Sequence, residues 1–203
     1  ADAVVLQLEI PADTVGRAVR LARGVATPTV VDAGPPRLPV DAAVLEADVL
    51  TPNEAEAAAL LGVEPGGRPP EDLARMLLER GPGAVVVKAG AAGAIVAEEG
   101  RVVHVPAFRI DPVDTTAAGD AFTAALAVAV VEGTDLVEAA RRANAAGALA
   151  ATTTISAIVA ALIVGGKAYG KVFALHSSTE IVFQVGRLLE VIDRARNWCK
   201  RRH

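Results

Sequence analysis

Short apolar runs alternate with amphipathic stretches through the first two thirds of the chain. VVLQLEI, PTVVDAG, ADVLTPN and AVVVKAG are rich in β-branched residues and bounded by Gly, Pro, Asp or Asn, as strands are. Between them, apolar residues recur near a 3.6-residue period, which predicts helices over 14–23 and 54–61. A third helix runs through EDLARMLLERG and stops at Gly81. This is the βαβ rhythm of a mainly parallel sheet flanked by helices, so the fold class predicted is α/β. AIVAEEGRVVHVPAF breaks the rhythm, since two alternating runs around 98–100 read as an inserted hairpin. Two more helices are predicted over 118–132, closed by Gly133, and over 135–150, with Thr134 as cap.

Beyond Thr154 the texture changes. KAYGKVFALH reads as a strand and STEIVFQVGRLLEVIDRARNWCKRR as a helix. In that helix Ser177 and Glu180 have capping-box spacing, and Ile181, Val185, Leu188, Ile192 and Ala195 share one face. The single Tyr169, Trp198 and Cys199 all fall in this tail, and a helix of this kind faces core or partner rather than substrate. The uncharged run GALAATTTISAIVAALIVGG reaches the length of a bilayer span. Its first half continues an amphipathic helix, and Thr152, Thr153 and Thr154 signal a change of structure. The reading is a helix end followed by a buried element, with a membrane span as the alternative.

Composition narrows the function classes. With 52% hydrophobic and 22% charged residues in 203, the chain can bury a proper core. A net charge of -4 gives no electrostatic basis for nucleic-acid binding, and Lys200, Arg201, Arg202 and His203 read as the dipole-compensating end of the last helix. One cysteine excludes an intramolecular disulfide or a thiolate cluster, which makes a reducing cytoplasm the expected location. His104, His176 and His203 show no ligand spacing. In the opening ADAVVLQLEIPAD, Asp2 and Glu9 interrupt the apolar residues, so no secretory signal is expected, and the partners expected are small molecules rather than a membrane.

Candidate chemistry concentrates in VDTTAAGDAF, 113–122. Small residues Ala117, Ala118 and Gly119 let a ligand approach the backbone, and a helix start offers unpaired N–H groups with partial positive charge. Together these make an anion site. Asp120 in that first turn is either a helix-start device or a base beside a held phosphate. TPNEAE and KAGAAG sit on loops at strand ends, where open α/β sheets collect ligands, and they are expected to share one crevice with the DTTAAGD turn.

DTTAAGDAF, preceded by TPNEAE and KAGAAG in that order, resembles the ribokinase-like carbohydrate kinases of the phosphofructokinase B group. The family signature ends D-T-x-[GA]-A-G-D, which Asp114 through Asp120 match without a gap. LQLEIP and RRANAAGALAATT also resemble ribokinase segments, so the likeness covers about 1–154. It implies a ribokinase-like fold with Rossmann-type layering, and an activity: phosphoryl transfer from ATP to a sugar hydroxyl, ribose first, with Mg2+ and a monovalent cation such as K+. Asp120 would be the general base and touch the sugar, with Ala117, Ala118 and Gly119 presenting N–H groups to the transferred phosphate. Asn53 and Glu56 would organise magnesium and phosphates through water. The plainer reading of that pair is a capping box at a helix start, and both roles are compatible. Lys88, Gly90 and Gly93 would border the nucleotide and Asn144 the adenine. Read without the family, the glycines make a tight turn and Asn144 is a partly exposed helix residue. Asp114 and the Thr116 carbonyl would help hold the monovalent cation, and Glu9 matches a sugar-touching position.

The resemblance is partial. Family members carry a β-strand lid, a G-G-x-x-x-N sugar loop and an early sugar-gripping aspartate ahead of the matched segment. After it they carry a G-A-x-x-[SA]-x-P loop, where this sequence reads ISAIVAALIVGG. The expectation is a phosphate-handling half, with residues from about 155 to 203 supplying a strand and a helix that cover an exposed sheet edge, as in a chimera. An uncovered edge would favour a homo-oligomer. A nucleotide-binding remnant and a scaffold with an idle site are the rival readings.

Overall fold

The computed structural model describes residues 1–36, 38–152 and 172–175. Its strands are β1 (Ala3–Gln7), β2 (Thr29–Asp32), β3 (Val49–Leu50), β4 (Ala84–Lys88), β5 (Ala94–Glu98), β6 (Arg101–Val105) and β7 (Val172–Leu175). They form one sheet in the order β6-β5-β4-β3-β2-β1-β7. β1 to β4 run parallel with β7, while β5 is antiparallel to both β4 and β6, so the hairpin extends an otherwise parallel sheet.

The helices are α1 (Ala12–Gly24), α2 (Glu54–Leu61), α3 (Pro70–Leu78), α4 (Ala118–Val131) and α5 (Leu136–Ala151). α2 has the predicted bounds, and α5 ends at Ala151 with Thr152 as its C-cap, where the threonine run begins. One expectation is corrected: α5 is capped by Asp135, whose carboxylate accepts from the Val137 N–H, and not by Thr134. The Thr134 N–H instead closes the end of α4 on the Ala129 carbonyl.

The two-residue period of the strands builds a core on each side. Leu6, Val31, Leu50, Val85 and Val87 pack with Val15 and Val19 of α1, Leu61 of α2 and Leu73 and Leu77 of α3. Val5, Val30, Val49, Val86 and Val96 face Phe122 and Leu126 of α4 and Ala139, Ala143 and Ala146 of α5. Burying a side chain such as Leu126 contributes roughly 2 kcal/mol, so the second of these faces anchors α4 over β1 and β2.

β7 lies inside KAYGKVFALH, as predicted, and pairs with β1 from Ala3↔Val172 to Leu6↔Leu175. β1 is therefore an interior strand. The predicted tail helix and most of the uncharged run lie outside the described residues. Among the described residues no helix is long and apolar enough to cross a membrane.

Candidate active site

On the α4–α5 face, strand alternation turns polar at the carboxyl ends of the sheet. Val5 of β1 is followed in phase by Gln7, Val30 of β2 by Asp32, and Val86 of β4 by Lys88. Three polar side chains thus end up at one end of the sheet, under the first turn of α4.

Asp32 is the hub. Its Oδ1 and Oδ2 accept from Lys88 Nζ at 2.8 and 2.7 Å, Oδ2 accepts from the Thr123 hydroxyl at 2.6 Å, and Oδ1 from the Gly34 N–H at 3.3 Å. A buried ion pair repays its desolvation only when the remaining lone pairs are satisfied, and this carboxylate makes four contacts with three donors. The ammonium is thereby held against the α4 turn: a β-carbon at Gly119 would stand 3.9 Å from Nζ.

Ala117 is the N-cap of α4 and offers no side-chain cap. Asp120 lies in the first turn, and its Oδ1 accepts from Gln7 Nε2 at 2.8 Å, across 113 residues of sequence. The Ala118 N–H donates to the Thr115 carbonyl at 3.1 Å, so of the three small residues of the turn this one has its N–H engaged within the loop.

At the start of α2, Asn53 and Glu56 form the expected capping box. Asn53 Oδ1 accepts from the Glu56 N–H at 2.8 Å, and Glu56 Oε2 accepts from the Asn53 N–H at 2.7 Å. Burial raises the Glu56 pKa above the usual carboxylate range; the Asn53 N–H and the Lys88 charge pull it back, and Asp32 adds to the rise. A buried carboxylate of this kind is relieved by a cation. Gly34 leaves the room it needs, because a β-carbon there would lie 2.5 Å from Glu56 Oε1. No group of three His, Cys, Asp or Glu side chains that could hold a metal ion occurs among the described residues.

The Lys88 N–H donates to the Pro52 carbonyl at 2.8 Å, placing Asn53 beside Lys88. The next turn contains Gly90 and ends at Gly93, whose φ of 106° lies in the region glycine favours. A β-carbon at Gly93 would come within 2.1 Å of the Val105 carbonyl oxygen and 2.5 Å of the Ala107 nitrogen. His104 Nε2 donates to the Ala92 carbonyl at 2.7 Å and holds the turn to β6.

The remaining predicted residues fall into two groups. Asp114 Oδ1 accepts from both the Thr116 hydroxyl, at 2.7 Å, and the Thr116 N–H, at 2.9 Å, and these bonds hold its pKa below the ordinary value. Both lie in the loop entering α4, and Glu9 lies just past β1. Asn144 stands apart: it is buried rather than partly exposed, and its Nδ2 donates to the Val105 and Pro106 carbonyls at 3.0 and 3.3 Å. This pins α5 to the exit of β6. Gln7, Asp32 and Thr123 were missed by motif reasoning; for Gln7 and Asp32 a polar residue in phase with an apolar strand face, at the end of a run, is a readable signal, whereas Thr123 on α4 carries none.

The model of the pfkB family of carbohydrate kinases matches residues 2–160. Ribokinase of Bacillus subtilis is 35% identical over 148 residues, covering 73% of this chain and 48% of that protein. Ribokinase of Haemophilus influenzae is 31% identical over 153 residues, covering 75% and 50%. The structure of Arabidopsis thaliana ribokinase complexed with ribose and ATP superposes with a TM-score of 0.70 at 32% identity, covering 76% of this chain and 51% of that one. The chain therefore spans about half the length of the curated relatives it matches.

Proposed function

The chain belongs to the pfkB family of carbohydrate kinases, and from that premise we propose that it takes part in phosphoryl transfer from ATP to a sugar hydroxyl. The observation that carries the reading is the convergence of Asp120, Lys88 and the alanine-capped start of α4 at one end of the sheet. Asp120 would accept the proton of the attacking hydroxyl as its oxygen bonds to the γ-phosphorus and the bond to the ADP oxygen breaks. Lys88 and the N–H groups around Gly119 would oppose the charge on the transferred group, and Asp32 and Thr123 keep that ammonium in place. Asn53 and Glu56 would hold magnesium through water; when bound, the ion neutralises phosphate charge. Asp114 and the Thr116 carbonyl would serve a monovalent cation. Gly90 and Gly93 would border the nucleotide. Asn144 would reach the adenine only by giving up its two carbonyl partners. Ribose, bound with ATP in the Arabidopsis relative, is the first acceptor to try, with Glu9 beside it.

The test is ADP release from ATP with Mg2+ and K+ across ribose and a small sugar panel, run beside Asp120→Asn. Sugar-stimulated release that the substitution abolishes supports the proposal. ATP binding without stimulation by any sugar would favour the nucleotide-binding remnant and overturn it for this chain.

A further inference from the structure

We propose that Gln7 is a positioning residue for the base Asp120, an inference that rests on the kinase reading above. Gln7 ends β1 and pairs in register with Asp32 of β2. Register partners share a face of the sheet, and both residues reach α4: Gln7 Nε2 donates to Asp120 Oδ1 at 2.8 Å, and Asp32 Oδ2 accepts from the Thr123 hydroxyl at 2.6 Å. Asp120 and Thr123 are three residues apart and lie on the same face of the helix. Two adjacent strand ends therefore grip one turn. A single contact would let the helix roll about it; two contacts on different strands set both its rotation and its height above the sheet.

The amide is held in one orientation. Gln7 Oε1 is buried and has no hydrogen-bond partner among the described residues. A buried carbonyl oxygen without a protein partner is uncommon in native proteins, so the orientation of this amide is set from its other end. Turned over, the amide would set Oε1 against the carboxylate and lose its one good bond, so Asp120 orients Gln7 and Gln7 orients Asp120. Packing alone would be served by another valine in phase with Val5. What the amide adds is an N–H aimed at the carboxylate that would take the proton. A base held at a fixed angle keeps the attacking hydroxyl in line, and displacements of about 1 Å can cost roughly a hundredfold in rate.

The test uses the full chain and two measurements. Without substrate, exchange of the Gln7 side-chain amide protons is followed by NMR in the native chain and in Asp120→Asn; slowing by about tenfold or more in the native chain is expected from a charge-assisted bond. With ATP, Mg2+ and the best sugar, Gln7→Leu is expected to lower kcat by about 10- to 100-fold while the KM for ATP stays within about twofold. Gln7→Glu opposes two carboxylates, and its activity relative to the native chain is expected to recover as the pH falls and the pair shares a proton. Equal exchange in the two proteins, an unchanged kcat in Gln7→Leu, or a Gln7→Glu profile parallel to the native one would each overturn the proposal. If Gln7→Leu does not fold, the Gln7→Glu profile decides. Slow exchange in a native chain that no sugar stimulates would overturn the kinase reading, and the catalytic role with it, while leaving the contact in place.

Discussion

Lys88 and Asp32, 56 residues apart in sequence, meet through two contacts of 2.8 and 2.7 Å with side chains only 14% and 6% exposed. The pair bridges β4 and β2 across β3. Removing one charge of a buried pair strands the other, so Asp32→Asn is expected to lower stability by about 3 kcal/mol. Adding Lys88→Met to it should recover part of the loss, because the stranded charge is gone. Urea unfolding of the single and double variants checks this; a double variant less stable than Asp32→Asn would contradict it.

Asp120→Asn keeps the shape of the side chain but removes the base. Sugar-dependent kcat is expected to fall by about 100- to 10,000-fold. Nucleotide affinity should change little. Activity within a few-fold of native would move the base to another residue.

The capping box separates two roles. Asn53→Ala loses the acceptor for the Glu56 N–H and is expected to cost about 1 kcal/mol, whereas Asn53→Asp retains a cap and should cost less. If Asn53 and Glu56 also serve magnesium, Glu56→Gln will weaken Mg·ATP more than it weakens metal-free nucleotide. Calorimetric titration with and without Mg2+ distinguishes the roles.

The turn after β4 contains an internal control. Gly93→Ala meets both a positive φ and backbone atoms of β6 and its exit, and is expected to destabilise by about 3 kcal/mol or more. Gly90 has a φ of 55° with open space around it, so Gly90→Ala should cost only about 1 kcal/mol. Thermal unfolding that ranks the two the other way would be incompatible with this turn.

Asp135 provides a pH signature away from the site. Its pKa is held below the usual 3.8, first by the Arg101 guanidinium and then by the Val137 N–H that it caps. A depressed acid contributes stability above its unfolded pKa and loses it as the pH falls through the folded one. Asp135→Asn, which keeps a cap but not the charge, should therefore be slightly less stable than the native chain at neutral pH, and the difference should close as the pH falls below 3.8. The gap should also shrink in high salt, because the pair is exposed. A difference that persists at low pH would assign the effect to the cap alone.

The local parts of this protein were legible in its sequence. Periodicity placed α2, the β5–β6 hairpin and the strand in KAYGKVFALH, and NEAE announced the capping box, because each depends on residues within a few positions of one another. The DTTAAGD motif marked the start of α4 for the same reason. Motif reading missed the network beneath it. Gln7 meets Asp120 across 113 residues and Thr123 meets Asp32 across 91, and no local pattern records which strand ends lie under which helix turn. Asn144 shows the same limit: helix position suggested partial exposure, and packing of α5 on the β6 exit buried it. Short-range hydrogen bonding and side-chain period are written along the chain, whereas the partners of Asp32 and Asp120 exist only once strand order and register bring distant residues to one end of the sheet.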